Sequence, residues 1–170
     1  MVFLRRARAP LRRAGLALAG LAAVVPVAAC GSAVAITPIC TDPGPASRAD
    51  TFATTVSLLT LPYGLRYGDV TVGCGALVRP GQNVTVEYTG WLQDGAEFDS
   101  SRTAGRQALT FQPGQQQVIR GFEVGVLNMH VGGKRRLVIP PALGYGTQGL
   151  PPVIPANATL IIDVEVISAS

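Results

Sequence analysis

Hydrophobic and polar residues alternate along residues 84–89, a stretch that reads VTVEYT. A period of two predicts a β-strand with one buried face. Asp94-Gly95 then predicts a tight turn and a returning strand through Phe98 and Asp99. Neighbouring residues of a regular strand point to opposite faces of a sheet. We therefore expect either that Asp99 faces solvent or that a β-bulge turns it inward, to the side of Phe98.

Further along the chain, the pattern predicts one helix and two more strands. A segment with helical spacing of apolar residues ends at Gly132-Gly133 and predicts the helix. Its apolar positions are Ile119, Phe122, Val126 and Met129. The segments KRRLVIP (134–140) and TLIIDVEVIS (159–168) predict strands, the second with apolar residues at alternate positions. Several strands around one short helix predict an α+β fold, in which an antiparallel sheet curls over that helix.

The first 29 residues follow a different pattern. Basic residues precede a run of small and apolar residues from Ala14 to Ala29, which predicts a secretory signal peptide too short for a comfortable membrane span. The run continues into Cys30, and residues 27–30, VAAC, resemble a bacterial lipobox. This predicts a lipid on Cys30 and an extracytoplasmic protein anchored to the bacterial cell membrane. The alternative is ordinary cleavage after residues 33–35, AVA, which would remove Cys30 and secrete the protein.

Residues 40–50 predict a connection between anchor and domain. They read CTDPGPASRAD and are rich in Pro, Gly and small polar residues, as flexible tethers are. The predicted organisation is a signal peptide over 1–29, a lipid anchor and flexible tether over 30–51, and one domain over 52–170. Cys40 and Cys74 remain under either cleavage scheme. Outside the cytoplasm such a pair favours a disulfide, worth about 4 kcal/mol in the chain-entropy model, over two unpaired thiols.

The formal charge of +4 and the pI of 9.3 come from the N-terminus. Five of the fourteen basic residues lie in the first thirteen positions, and all ten acidic residues follow position 40. Without residues 1–29, nine basic and ten acidic residues remain, a formal charge of −1. The pI therefore does not indicate a nucleic-acid-binding surface, and we expect no nucleic-acid partner.

Reactive groups are scarce in this chain. His130 is the only histidine, and the helical pattern places it near the helix end, where a cation is favourable. The sequence contains no His pair, no Cys-x-x-Cys, no Gly-x-Ser-x-Gly and no phosphate-binding Gly-Lys-Ser/Thr. We therefore expect no metal, no cofactor and no covalent nucleophile. Rotation about an X-Pro amide needs none of these, because its barrier of about 18–20 kcal/mol comes from resonance and an apolar pocket disfavours the planar, more polar form.

Four segments, taken together, resemble one protein family. They read VTVEYTGWLQDGAEFDSS, QVIRGFEVGVLNM, GGKRRLVIPPALGYG and IPANATLIIDVEVIS. In this order and with these gaps they closely resemble the FKBP-type peptidyl-prolyl cis-trans isomerases, over about residues 64–168. The resemblance implies a twisted antiparallel sheet wrapped around a short helix. With the signal peptide, it implies an isomerase that acts on X-Pro bonds of exported proteins, with Phe98 and Asp99 both lining the pocket.

The resemblance also implies five catalytic residues. Tyr88 and Phe98 would form walls of the proline pocket, and Phe122 its floor. Asp99 would face the substrate carbonyl or orient a neighbouring side chain. Tyr145 would donate its hydroxyl to the amide carbonyl of the substrate.

Further residues are implied to bind the substrate, a proline-containing polypeptide. Val118 and Ile119 would flank the pocket, and the backbone N–H of Ile119 would donate to the peptide. Val153 and Ile154, in the loop before the last strand, would cover the proline. We expect the domain to work as a monomer.

Four positions differ from the best-known eukaryotic members of the family. Phe122 stands where they have Trp, Leu109 and Ile162 stand where they have Phe, and Leu150 replaces His. The last three are also implied to contact the substrate. Because each change reduces aromatic surface, a macrolide ligand is a weaker expectation than isomerase activity. The alternative function is a catalytically weak module of the same fold, which binds proline peptides or acts as a chaperone.

Overall fold

A computed structural model describes residues 50–52 and 55–170 of the chain. The predicted signal peptide, Cys30 and Cys40 lie outside the described residues, whereas Cys74 is described and exposed. Within the described ranges, no helix is long and apolar enough to cross a membrane. The elements in chain order are β1 (Leu59–Thr60), β2 (Arg66–Thr71), β3 (Val84–Leu92), β4 (Glu97–Ser100), β5 (Leu109–Phe111), α1 (Arg120–Val126), β6 (Lys134–Ile139) and β7 (Leu160–Ala169), with short 3-10 turns at Pro62–Gly64 and Pro141–Leu143.

The strands form an antiparallel sheet in the order β1-β2-β6-β7-β3-β4. β4 pairs with residues 89–91 of β3, and β5 pairs with residues 84–86 of the same edge. The chain between β4 and β5 therefore leaves the sheet beside Tyr88. The predicted turn at Asp94-Gly95 joins β3 to β4, and Gly95 has the positive φ, +91°, that such a turn requires. The predicted α+β architecture, an antiparallel sheet with a short helix, is confirmed.

The alternating pattern of β7 places its apolar residues on the face of the sheet that packs against α1, which we term the inner face. The buried apolar residues of β7 on this face are Leu160, Ile162, Val164 and Val166, each at most 4% exposed. The helix approaches this face closely through Gly125, where an added Cβ would lie 2.5 Å from Leu137 Cδ1 of β6. Such a short distance leaves room for no side chain larger than hydrogen, so glycine permits the contact between helix and sheet.

The helix is shorter than the sequence pattern predicts. It ends at Val126, because Leu127 is extended (φ −59°, ψ 143°) and Asn128 has a left-handed conformation with φ 60°. The Arg135 guanidinium donates from Nη1 to the carbonyl oxygens of Gly125 at 2.9 Å and Leu127 at 3.3 Å. A side chain from β6 thus satisfies carbonyl groups at the helix end. The predicted continuation beyond Val126 is therefore wrong.

The residues after the helix form a bridged, extended segment. Met129 is buried, as its apolar position predicts, and its carbonyl accepts a hydrogen bond from Val78 N at 2.8 Å. His130 forms an isolated β-bridge with Leu77, and its Nδ1 lies 2.9 Å from the carbonyl oxygen of Gly75. The expectation that His130 sits at the helix end is therefore wrong, because its ring contacts a loop carbonyl instead of the helix terminus.

A β-bulge in β4 resolves the orientation of Asp99. Gly90 pairs with Asp99, but Trp91 pairs with Glu97, so Phe98 is an extra residue in the ladder. Residues directly opposite each other in an antiparallel pair share a face. Asp99 therefore lies on the face of Gly90, the inner face, and the Phe98 ring also contacts Gly90. The predicted inward-turning bulge is confirmed.

The opposite face of the sheet, which we term the outer face, carries a buried ion pair. Arg136 Nε and Nη2 donate to the two carboxylate oxygens of Asp163 at 2.6 and 2.9 Å, and Asp163 is fully buried. Arg136 also donates to the carbonyl oxygens of Thr51 at 2.7 Å and Phe52 at 2.9 Å. The Phe52 ring meets Trp91 edge-on, with ring centroids 6.3 Å apart. Residues 50–52 thus contact the sheet.

The close approach of α1 to β6 predicts the effect of Gly121→Ala. The new Cβ would overlap Ile139 Cγ2 and lie 3.2 Å from the carbonyl oxygen of Leu143. Alanine favours a helix by about 0.5–1 kcal/mol over glycine, but overpacking against a stiff β-branched side chain costs about 1–3 kcal/mol. We therefore expect a lower free energy of unfolding, measured with urea. Val124→Ala, at a partly exposed position of the same helix, is the control and should change it by less than about 0.5 kcal/mol. A more stable Gly121→Ala protein would contradict this packing.

Candidate active site

β3 and the bulged β4 bring Tyr88 and Asp99 together on the inner face. The Tyr88 hydroxyl donates to Asp99 Oδ2 at 2.5 Å. Arg106, from the loop after β4, donates from Nη2 to Asp99 Oδ1 at 2.7 Å, and the Ser100 backbone N–H donates to the same oxygen at 3.0 Å. Both carboxylate oxygens therefore already accept hydrogen bonds from the protein. With this geometry, Asp99 can hold the Tyr88 hydroxyl in one orientation.

Phe122, in the first turn of α1, supplies the buried aromatic surface. Phe122 is 3% exposed. Its ring meets the Tyr88 ring edge-on, with centroids 5.9 Å apart, and its centroid lies 5.5 Å from that of the Phe111 ring. Aromatic pairs of this kind contribute about 0.5–1.5 kcal/mol beyond burial. From the bulge, the Phe98 ring covers Gly90, where an added Cβ would lie 2.5 Å from Phe98 Cζ. A glycine at this position of β3 therefore makes room for the ring.

The other predicted site residues differ in burial. Ile154 and Ile162 are buried in the core, at 2% and 4% exposure. Four residues are half-buried and pack against that core: Leu109, Val118, Ile119 and Tyr145. Leu150 and Val153 are about half exposed, at 51% and 49%, and lie outside the hydrophobic cluster. The structure thus places nine of the twelve predicted pocket residues in or against the core. Asp99 is hydrogen-bonded to one of them, Tyr88, and the remaining two lie at the surface.

Burial and one carboxylate keep both tyrosines of the site protonated. Burial, followed by the hydrogen bond and the charge of Asp99, raises the pKa of Tyr88 to about 12. Burial, followed by the charge of Asp99, also raises the pKa of Tyr145. Both hydroxyl groups are therefore neutral hydrogen-bond donors at pH 7.

The arrangement offers an apolar aromatic surface with phenol hydroxyls beside it. In the described ranges 50–52 and 55–170, no three His, Cys, Asp or Glu side chains are close enough to hold a metal ion. A concave apolar site with a few oriented donors can bind a nonpolar ring and hydrogen-bond to a neighbouring carbonyl oxygen. A proline residue within a peptide has both groups.

Comparison with known proteins identifies the family. Residues 74–167, more than half of the chain, match the family model of FKBP-type peptidyl-prolyl cis-trans isomerases. The chain belongs to this family. It is 47% identical over 104 residues to the FK506-binding protein of Neisseria meningitidis serogroup B, a match that covers 61% of this chain and 94% of that protein.

Two longer proteins share the same FKBP region. The chain is 52% identical over 116 residues to FK506-binding protein 4 of Dictyostelium discoideum, which covers 68% of this chain but only 31% of that protein. The crystal structure of FkpA from Escherichia coli matches with 42% identity and a TM-score of 0.62, over 70% of this chain and 54% of that one. The chain thus spans about a third of the first protein and about half of the second.

The sequence pattern does not predict two further residues of the candidate site. Arg106 lies in the exposed segment TAGRQ, which has no periodic pattern and no motif to mark it. Phe111 is buried at the end of β5, two positions after Leu109. Alternation over those positions is the signal that would place both side chains on the inner face.

The Tyr88–Asp99 hydrogen bond predicts a shifted phenol titration. In the wild-type protein, ultraviolet absorbance should show one tyrosine ionising near pH 12, and Tyr88→Phe should remove that step. Asp99→Asn removes the charge and a strong acceptor, so the pKa of Tyr88 should fall toward its ordinary value of 10.0 without reaching it, because burial remains. A Tyr88 pKa that does not change in Asp99→Asn would contradict the hydrogen bond.

The same shift predicts how stability depends on pH. Because the pKa of Tyr88 is higher in the folded state than its ordinary value of 10.0, the folded protein holds this proton more tightly. Its contribution to stability is fully present below pH 10 and is lost as the pH rises through about 12. Tyr88→Phe should weaken this alkaline dependence of the free energy of unfolding.

Proposed function

We propose that this protein catalyses rotation about X-Pro peptide bonds. The observation that carries the proposal is the buried Phe122 ring beneath Tyr88, in a chain of the isomerase family. The barrier of about 18–20 kcal/mol comes from amide resonance. A twisted amide is less delocalised and less polar than a planar one, so a water-poor aromatic surface stabilises the twisted form relative to the ground state.

Each side chain of the site has a role in this proposal. Phe122 and Phe98 contact the proline ring, and Tyr88 forms the wall between them. The Tyr145 hydroxyl and the Ile119 backbone N–H donate to substrate carbonyl oxygens. Asp99 acts on Tyr88 through the 2.5 Å hydrogen bond, which supports an orienting role over direct contact with the substrate.

The remaining predicted residues would line or cover the pocket. Leu109, Val118 and Ile162 would add apolar surface around the proline. The cover would come from Leu150, Val153 and Ile154. Because Leu150 and Val153 are exposed, they are available to a bound peptide.

The size of the catalytic effect indicates which contacts dominate. An acceleration of about a million requires about 8 kcal/mol of differential stabilisation. One hydrogen bond contributes about 0.5–1.5 kcal/mol net. The two polar contacts alone therefore fall short, and exclusion of water by the aromatic surface supplies the larger part.

The variants Phe122→Leu and Asp99→Asn separate these contributions. Phe122→Leu removes the aromatic floor but stays apolar, whereas Asp99→Asn removes the charge with little change in shape. Asp99→Asn should cost about 1–2 kcal/mol, or roughly five- to thirtyfold in kcat/KM, and Phe122→Leu should cost at least as much. A protease-coupled assay with a proline tetrapeptide measures both, and circular dichroism verifies folding. Complete loss in Asp99→Asn with full activity in Phe122→Leu would show that the carboxylate charge drives the reaction.

The same assay tests the proposed activity in the wild-type protein. We expect an isomerisation rate well above the uncatalysed one. A protein that binds the peptide but leaves the uncatalysed rate unchanged would instead be a binding or chaperone module of this fold.

We further propose that the substrates are proline-containing exported polypeptides and that the protein works as a monomer, anchored by a lipid on Cys30. The signal-peptide pattern and the VAAC segment support this location, and secretion after cleavage near residue 35 is the alternative.

Relatives are named FK506-binding proteins. For this chain we propose weaker macrolide binding, because Leu109, Phe122 and Ile162 present less aromatic surface than the residues of the best-known members.

The mass of the mature protein tests the anchor and the predicted Cys40–Cys74 disulfide together. We expect an N-terminal peptide that begins at an acylated Cys30, and an intact protein whose cysteines take up alkylating reagent only after reduction. Two acyl chains or more would anchor the protein stably. An unmodified N-terminus at Ile36 would contradict the lipid. Alkylation of both Cys40 and Cys74 without reductant would contradict the disulfide.

A further inference from the structure

The end of the predicted tether enters the charged outer face at Asp50. The Asp50 side chain is 1% exposed, and its Oδ2 accepts a hydrogen bond from Arg102 Nε at 3.1 Å. Its Oδ1 pairs with the ammonium group of Lys134. Arg102 also donates from Nη2 to Glu165 Oε2 at 2.5 Å. A carboxylate this deeply buried is stable only while paired, so Asp50 and Arg102 hold each other in place.

Arg102 stands at the base of the loop that reaches the candidate active site. The residue before it, Ser101, is joined to β3: Ser101 N donates to the Tyr88 carbonyl at 3.0 Å, and Tyr88 N donates to Ser101 Oγ at 2.9 Å. Beyond Arg102 the loop is exposed. Arg106, near the far end of the loop, donates a hydrogen bond to Asp99. The Arg106 side chain is 52% exposed, and an ion pair so exposed contributes little to folding stability. The geometry of the pair therefore depends on the loop that carries Arg106.

We propose that Asp50 is a positioning residue of the isomerase site, acting through Arg102 on the Arg106–Asp99 pair. The inference rests on the proposed function. By fixing the Arg102 side chain, Asp50 fixes the start of the loop, so that Arg106 reaches Asp99 Oδ1 and leaves Oδ2 to the Tyr88 hydroxyl. Without the Asp50 charge, Arg102 would keep only its pairing with Glu165 and the loop base would loosen.

The variant Asp50→Asn in the full chain tests this role, because it keeps the shape of the side chain and removes its charge. We expect kcat/KM to fall about three- to tenfold, the scale of one weakened charge-assisted hydrogen bond. The matched control is Asp94→Asn, an exposed acidic residue in the turn between β3 and β4, which should leave activity unchanged. The single tryptophan, Trp91, contacts Phe52, so its fluorescence reports whether residues 50–52 stay on the sheet.

A double-mutant cycle distinguishes positioning from a general loss of stability. If Asp50 acts by placing Arg106, Asp50→Asn should have no further effect on kcat/KM in an Arg106→Ala protein. Equal effects of Asp50→Asn in both backgrounds would overturn the proposal. If Asp50→Asn does not fold, Arg102→Lys takes its place in the cycle, because lysine keeps the charge but cannot bond two carboxylates with a planar fork.

Nuclear magnetic resonance keeps this inference separate from the proposed activity. Absence of turnover in the wild-type protein would contradict the proposed function alone. Asp50→Asn should still shift the backbone amide signals of Asp99 and Arg106, whereas Asp94→Asn should not shift the signal of Arg106. Unshifted Asp99 and Arg106 signals in Asp50→Asn would overturn the positioning role, whatever the activity.

Discussion

The candidate site depends on a helix that is too short to cover the sheet. The seven residues of α1 rise about 10 Å, whereas the nine residues of β3 extend about 30 Å. The uncovered part of the inner face is occupied by aromatic side chains, with Phe122 at the junction between helix and sheet. Arg135 contributes to this early end, since it binds helix carbonyls while paired with Asp69 and stacked 4.4 Å over the Tyr67 ring. The end of the helix thus depends on a cation outside the candidate site.

The sheet also separates two chemical environments. Its inner face carries the core and the aromatic site, where the two phenols stay neutral. Its outer face holds buried charges, and there burial raises the pKa of Asp163 against the opposing effect of Arg136. The separation suits the proposed reaction, which moves no charge. The segment after β4 contacts both faces of the sheet. It leaves the edge of β3 beside Tyr88, with Arg102 paired to Glu165 on the outer face and Arg106 paired to Asp99 on the inner face.

Local pattern is sufficient to predict much of this architecture from the sequence. Alternation predicts β3 and β7, and the adjacency of Phe98 and Asp99 requires a bulge if both are to face inward. The sequence pattern does not predict features that depend on a tertiary contact, such as the end of the helix. Met129 keeps a helical spacing and is buried as expected, yet the helix has already ended where Arg135 meets its carbonyl groups. The sequence pattern does not mark Arg106 or Asp50 either, because an ion pair leaves no period in the sequence.

The position of β7 in the sheet has a consequence for how the protein is made. β7 lies between β6 and β3 and pairs with both, so it connects the two strands within the sheet. Until residues 160–169 are available, β1, β2 and β6 can form one half of the sheet, and β3, β4 and β5 the other. Such long-range pairing is slow to form because its loop-closure entropy must be overcome first. Tyr88 of β3 and the strand β6 that packs against α1 therefore belong to one continuous sheet only when β7 lies between β3 and β6.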